Sequence, residues 1–400
     1  VGSTTSIIFL IITLFNGVSI GANYMAARDF GAQDDRGLFR TVHCAALLSV
    51  ILGLLACVCG LLLSTPLLRW ADAPEDVLPL SVLYLRIYFL GVPALVVYNF
   101  GSALLRAVGD TFYPLLFMIV SGALNVALNL LLVVVIPLDV AGVAIATSVS
   151  QLLSAVLVTV RLCTFRGPCR LDLRKIRLYP DRTGQMLRLG FSAGLQGVLF
   201  SASNVMIQSA INSFGSMVVA GNSASSNLEG FVYTAMNAFA QAAVTFTSQN
   251  IGARKYHNLD RVIRNCLLCA VVTGLVLGGG AALAGHQLLR FYSSDAAVIA
   301  TGAERLRLIC GFYLLCGIMD VLASSLRGLG YSILPMVVSL IGVCALRLVW
   351  IATIFQLNRT PFMLYISYPI SWALTALVHL ACLLVVRHKM NENLKAAAQR

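Results

Sequence analysis

Eleven apolar segments, each long enough to cross a bilayer as a helix, restrict what this chain can be. They run over 5–27, 41–64, 81–105, 112–136, 140–162, 187–212, 217–247, 262–285, 305–327, 333–356 and 362–386. A hydrocarbon core about 30 Å thick takes about 20 residues of helix. An open sheet edge in lipid would leave backbone groups unpaired, and the alternating pattern of a membrane β-barrel is absent. The expected class is therefore an all-α polytopic membrane protein. Composition agrees: 59% of the 400 residues are hydrophobic and 11% are charged, where a soluble globular chain carries about 25% charged residues. An ordinary soluble enzyme is excluded.

The formal charge of +12 does not point to nucleic acid. Lys and Arg fall mostly in short loops, which is the bias of cytoplasmic loops. Segment 163–185 carries Arg166, Arg170, Arg174, Lys175, Arg177 and Arg182, so it is expected inside. Alternation then puts 28–40 (Arg28, Arg36, Arg40), 248–261 (Arg254, Lys255, Arg261) and the tail after Arg387 on the same side. The loop with Asp72, Glu75 and Asp76 falls outside. A bacterial plasma (inner) membrane, with both native termini cytoplasmic, is the expected location. The expected organisation is a helix bundle over 1–165, a basic linker over 166–185 with Pro168 and Pro180, a second bundle over 186–390 and a tail over 391–400. The eleven Cys lie mostly in apolar runs and read as small core residues, not a disulfide framework. The chain starts at Val1, without the basic flank of a signal peptide.

An internal repeat organises these segments. A shift of 221 residues aligns Asn16 with Asn237, Gly31-Ala32 with Gly252-Ala253, Leu38 with Leu259 and Arg40 with Arg261. The same shift aligns Leu85-Arg86 with Leu306-Arg307, Leu105-Arg106 with Leu326-Arg327, Gly109 with Gly330 and Pro114 with Pro335. In Leu-Arg-x-x-Gly-x4-Pro the Arg suits a helix C-terminus, the Gly can close that helix and the Pro can open the next. The second half has six apolar segments and the first has five. The partner of 187–212 would fall before Val1, so the expectation is eleven of twelve helices, with the first missing. Parallel repeats of this kind are one of the two transporter arrangements, with substrate sites at the interface of the halves.

No P-loop, HExxH or GxSxG occurs. Cys266-x-x-Cys269 has no second pair for zinc, Cys57-x-Cys59 reads the same way, and the five His form no metal spacing. An enzyme or a receptor would need a catalytic constellation or a sizeable extramembrane domain, and neither is visible. Polar residues inside the segments are informative instead. Asn222, Ser226, Glu229, Tyr233, Asn237, Gln241, Thr245 and Ser248 recur at helical spacing, as do Ser201, Asn204, Gln208 and Asn212, and Asn16, Ser19 and Asn23. Three such stripes suggest a wet cavity, with Asn16, Gln196, Asn204, Gln208, Tyr233, Asn237 and Gln241 as candidate substrate-facing residues. Intramembrane charges cost about 2.5–3.5 kcal/mol each on insertion scales. Arg86 and Arg307 lie near an outer end and can snorkel. Glu229, Asp320 and Arg347 lie deeper. Matching depths suggest a Glu229–Arg347 pair, and Asp320, nearer the inside, could carry a proton or cation unless Arg347 pairs with it.

Several stretches resemble the multidrug and toxic compound extrusion (MATE) family: Ser248-Gln-Asn-Ile-Gly-Ala-Arg254, Ser325-Leu-Arg-Gly-Leu-Gly330, Asn125-Val-Ala-Leu-Asn-Leu130 and Gly142-Val-Ala-Ile-Ala-Thr147. The resemblance implies two pseudo-symmetric six-helix bundles facing each other in a V. It also implies export of amphipathic, often cationic, compounds by Na⁺ or H⁺ antiport, without an organic cofactor. Members with a cation site in the first lobe use an Asn and, four residues on, an Asp, with a Thr from the next helix. Asn125 and Thr147 match, whereas position 129 is Asn129. Members with a second-lobe site have an acid where this chain has Cys316, one turn before Asp320. The coupling candidates are therefore Asp320, Glu229, Arg347, Asn125, Asn129 and Thr147, with Na⁺ the one metal ion implied. A monomer working on a small-molecule substrate in the bilayer, not on nucleic acid, is expected. The chain without its first helix is expected to transport poorly. The alternative on the same fold is a flippase of a lipid-linked saccharide, or an exporter of a specific metabolite.

Overall fold

The computed structural model describes residues 5–70 and 77–398. The loop carrying Asp72, Glu75 and Asp76 lies outside the described residues, as does Val1. The chain forms two compact units. One comprises residues 1–201 and 248–254, the other 202–247 and 255–400. The first therefore extends past the basic linker at which the sequence divides.

In the first unit, α1 (Thr5–Gly31), α2 (Asp35–Trp70), α3 (Leu78–Ala107), α4 (Phe112–Asn129) and α5 (Asp139–Thr164) follow one another, with a π turn at Leu130–Val135 after α4. Helices α6 (Pro180–Asn212) and α7 (Ser216–Gly252) are divided between the units, with residues 202–247 belonging to the second. In the second unit, α8 (Leu259–Thr273) runs through a π turn (Gly274–Gly278) into α9 (Gly279–Leu283) and α10 (Gly285–Leu289). Helices α11 (Ala296–Gly311) and α12 (Tyr313–Gly328) are bent by 42° at a break between them. Helices α13 (Ile333–Ser339) and α14 (Leu346–Ala352) flank a third π turn (Leu340–Ala345), and α15 (Ile354–Leu357), α16 (Pro361–Tyr365) and α17 (Ser367–Ala398) follow. All eleven apolar segments are helical. Among the described residues seven helices are long and apolar enough to cross a membrane, or up to eight if the bent pair is one span.

Glycine spacing explains why the start of α6 belongs to the first unit. Gly17 and Gly21 on α1, and Gly190 and Gly194 on α6, each stand four residues apart. A Cβ added to Gly17 would lie 2.2 Å from the Gly194 nitrogen, and one added to Gly190 would lie 2.2 Å from Val18 Cα. Only α-carbons without a Cβ allow the two backbones to approach this closely, as small-residue motifs do in membrane helix pairs. An ion pair closes the end of the same contact. Arg182 Nη1 donates to both carboxylate oxygens of Asp29 at 2.9 and 2.8 Å, and Thr41 Oγ1 donates to Asp29 Oδ2 at 2.6 Å.

The basic linker also packs onto the first unit. The Asp172 N–H donates to His43 Nε2 at 3.0 Å, while His43 Nδ1 meets the Phe39 carbonyl at 2.8 Å. The backbone N–H of Arg174 holds the Asp172 carboxyl below its ordinary range. Burial pushes the Cys169 thiol up to about 12.

The 221-residue repeat appears in backbone conformation. Gly109 and Gly330 have φ of 89° and 96°, and Gln33 and Arg254 both have φ of 55°. Each glycine closes its helix with the same pair of bonds. Asp110 N–H reaches Leu105 O at 2.9 Å and Gly109 N–H reaches Arg106 O at 3.0 Å. Their counterparts are Tyr331 to Leu326 at 3.0 Å and Gly330 to Arg327 at 2.9 Å. This is the Schellman pattern, in which a left-handed residue satisfies the last carbonyls of a helix. The residues shared between the halves are thus those that a helix-closing turn requires. A further contact is reciprocal under the same offset: a Cβ on Gly31 would lie 2.0 Å from Gln249 O, and one on Gly252 would lie 2.0 Å from Arg28 O.

Candidate functional site

In the first unit the three residues Asn125, Asn129 and Thr147 come together. Asn125 lies one helical turn before Asn129 on α4, and Thr147 is on α5. Asn129 Nδ2 donates to the Asn125 carbonyl at 2.9 Å and to Asn125 Oδ1 at 3.1 Å, and Asn125 Nδ2 reaches Thr147 Oγ1 at 3.5 Å. All three are partly exposed. The cluster is neutral, so its oxygens can solvate a cation but cannot neutralise one. Asn16 lies elsewhere in this unit, accepting from Asn99 Nδ2 at 2.8 Å. Gln196 on α6 is buried.

In the second unit the stripes on α6 and α7 largely pair with themselves. Gln208 donates to Asn212 at 2.9 Å and accepts from Asn222 at 3.0 Å. Gln241 Nε2 reaches Asn237 Oδ1 at 3.5 Å, and Asn237 in turn hydrogen-bonds Tyr233. Asn204 is exposed. Asp320 on α12 is half-buried and interacts electrostatically with the Tyr233 phenol and the Arg327 guanidinium. Asp320, Tyr233 and Arg327, with Asn237 and Gln241 linked on through Tyr233, therefore make one polar neighbourhood in which a carboxylate stands beside a phenol and a guanidinium. Such a group can exchange a proton or hold a cation. By the repeat offset Asp320 occupies the position of Asn99, and Asn237 that of Asn16.

The expected Glu229–Arg347 pair is not formed. Glu229 Oε2 instead meets Arg305 Nη2 at 2.7 Å, with side chains 15% and 6% exposed, and Tyr313 OH donates to Glu229 Oε1 at 3.3 Å. Arg347 donates from Nε to Ser371 Oγ at 2.8 Å, and its guanidinium lies 4.0 Å from the centre of the Tyr368 ring and 5.6 Å from that of Trp372. The physical reason is helix length. The sequence window opens a span at 305, where polar Thr301 and Glu304 end the apolar run, but α11 begins at Ala296. Arg305 therefore lies well inside a helix and is buried, 5% exposed. Arg86 and Arg307 are exposed, as snorkelling side chains would be. Arg305 is the site residue that sequence reasoning passed over. Its signal was a cation two residues before Arg307, on a different face of the helix.

Among the described residues no group of three or more His, Cys, Asp or Glu could hold a metal ion. The described Cys form no disulfide with one another.

Comparison with known proteins agrees with this architecture. The MatE family model matches residues 1–131 and 193–353. A probable multidrug resistance protein of Bacillus subtilis, YoeA, is 24% identical over 386 residues, covering 94% of this chain and 83% of that protein. The multidrug export protein MepA of Staphylococcus saprophyticus is 21% identical over 327 residues, covering 82% of this chain and 72% of its own length. Among solved structures, a multidrug resistance MATE family transporter in an outward-facing conformation superposes with a TM-score of 0.91 at 21% identity, covering 97% of this chain and 87% of that one. The helical architecture, the repeated helix-closing turns and the family match together make this chain a multi-pass membrane protein of the MATE family of multidrug efflux transporters.

Proposed function

We propose that the protein is a secondary active exporter of amphipathic, cationic small molecules, driven by Na⁺ or H⁺ entry with alternating access between two lobes. The observation that carries this reading is Asp320, a half-buried carboxylate beside Tyr233 and Arg327 in a chain of this family. In this scheme Asp320 takes the coupling ion or the cationic substrate in turn, so that loading one releases the other. Glu229 is already held by Arg305 and Tyr313 and supports the helices around the site. Asn125, Asn129 and Thr147 supply neutral oxygens in the first unit. The protein works as a monomer in the plasma membrane, and its basic loops face the cytoplasm.

Everted membrane vesicles containing the full-length protein test the coupling. An imposed Na⁺ or proton gradient is expected to drive uptake of tetraphenylphosphonium, and dissipating that gradient with an ionophore is expected to stop it. Uptake that responds to ATP and to neither gradient contradicts the proposal. The buried pair Arg305 and Arg347 favours a second reading on the same fold, a flippase of a lipid-linked saccharide or an exporter of a specific metabolite. Transport of an anionic lipid analogue with no response to cationic dyes would establish it.

A further inference from the structure

Among the described residues of the second unit there is a buried cation that no carboxylate of its own neutralises. Arg305 and Arg347 are 5% and 4% exposed, and both face the α16–α17 aromatic cluster. Tyr368 joins them, stacking under Arg347 at 4.0 Å and hydrogen-bonding Arg305. One carboxylate serves both guanidinium groups. Glu229 is in ion-pair contact with Arg305 at 2.7 Å, whereas Arg347 makes its side-chain hydrogen bond to Ser371 and forms no ion pair among the described residues. The walls are Tyr313, Tyr365, Tyr368 and Trp372, with Trp372 packed edge-on to Tyr313 and Tyr368 at 5.2 and 5.7 Å. The cluster therefore carries one positive charge in excess.

Hydrogen bonding leaves the same imbalance. Three buried donors, Arg305 Nε and Nη1 and Arg347 Nη2, have no hydrogen-bond partner, against one buried acceptor in the same state, Glu229 Oε2. A guanidinium presents five N–H donors in a fixed fork that suits carboxylate, sulfonate and phosphate oxygens. A buried, uncompensated charge is costly, and an incoming anion relieves it without displacing a protein partner. Aromatic faces beside the fork suit the apolar body of an amphipathic ligand. Glu229 and Tyr368 are partly exposed, so the cluster is open on that side.

We propose that Arg305 and Arg347 form a recognition site for the anionic group of an amphipathic ligand, with Tyr368 and Trp372 holding its apolar part. Asp320 on α12 and this pair on α11 and α14 then give the second unit one polar point of each sign. The site concerns binding and does not depend on which ion drives transport. The same chemistry serves a free amphipathic anion or the headgroup of an anionic lipid.

The test uses the protein in nanodiscs of phosphatidylcholine, with Trp70 and Trp350 replaced by Phe so that Trp372 is the one remaining indole. Radiolabelled taurocholate, an amphipathic sulfonate, is titrated, and binding and Trp372 emission are followed together. Saturable binding that shifts Trp372 emission is expected. Arg347→Gln is expected to weaken it by about tenfold, the loss of one charge-assisted contact, and Arg347→Lys to weaken it less. Tetraphenylphosphonium is not expected to compete. A second set of nanodiscs contains phosphatidylglycerol. Competition that disappears in Arg347→Gln assigns the site to a lipid headgroup, and absence of competition assigns it to a free amphipath. Taurocholate affinity unchanged in Arg347→Gln and Arg305→Gln overturns the proposal. Where those variants do not fold, saturating taurocholate that leaves Trp372 emission unchanged in the parent protein overturns it equally.

Discussion

The two halves of this transporter use one backbone plan and place different chemistry on it. Offset by 221 residues, Asn16 and Asn99 in the first unit stand where Asn237 and Asp320 stand in the second. In the first unit the two amides satisfy each other, with Asn99 donating to Asn16 at 2.8 Å. In the second the amide turns to Tyr233, and the carboxylate beside it faces Arg327. The same offset relates Tyr84 to Arg305 and Val126 to Arg347. The turns that end the helices are duplicated bond for bond, while the intramembrane charges have gathered in one half. Helix-closing turns are required wherever the fold is used. Charges are costly in a membrane and persist where function needs them.

Cohesion differs in parallel. The first unit draws α1 and α6 together through backbone contact at glycines. The second half has Ala238 and Ala242 at the positions of Gly17 and Gly21, and its buried interior contains the Glu229–Arg305 pair. The largest expected effect is therefore Glu229→Gln, which leaves two guanidinium groups buried without a carboxylate. Breaking such a pair costs about 3–5 kcal/mol. The apparent melting temperature in detergent should fall far more than for Asn125→Ala, which removes one interhelical hydrogen bond, to Thr147, worth about 0.6 kcal/mol. Equal falls would break the contrast between a charged and a neutral half.

Gly194→Leu comes next. Overpacking at a backbone contact costs about 1–3 kcal/mol or more, and the loss should appear as faster proteolysis at the α1–α6 side of the first unit. Wild-type resistance would mean that glycine contact is not what holds that unit. The smallest effect concerns the linker. Burial raises the Cys169 thiol to about 12, so at pH 7.5 it is almost wholly protonated, and the thiolate is the reactive form. In a variant retaining Cys169 alone, maleimide labelling should be at least about tenfold slower than for a free thiol of pKa about 8.5. Labelling at the free-thiol rate would detach the linker from the first unit.

Much of this organisation is legible in the sequence because its determinants are local. Apolar length identifies the helices. Leu-Arg-x-x-Gly identifies the turns, since a left-handed glycine and the final carbonyls it satisfies lie within six residues. Asn125, Asn129 and Thr147 are legible through family resemblance, and the structure brings them together. What escapes are choices made between distant segments. Matching depths could not tell Arg305 from Arg347 as the partner of Glu229, because both reach the same layer and the start of α11 at Ala296 is hidden by Thr301 and Glu304. The three π turns leave no composition signal, and that at Leu340–Ala345 immediately precedes the helix carrying Arg347. Gly17, Gly21, Gly190 and Gly194 can be counted in sequence, but spacing alone does not say which helix meets which.

The central claim is that coupling resides in the charged half, at Asp320. Gradient-driven tetraphenylphosphonium uptake in everted vesicles should be compared for Asp320→Asn, which gives the second unit the chemistry of Asn99, and for Asn99→Ala in the first unit. The account predicts at least a tenfold loss in Asp320→Asn, about 1.4 kcal/mol or more of coupling, and less than about a twofold change in Asn99→Ala. Unchanged gradient-driven uptake in Asp320→Asn, at equal protein in the membrane, would contradict it.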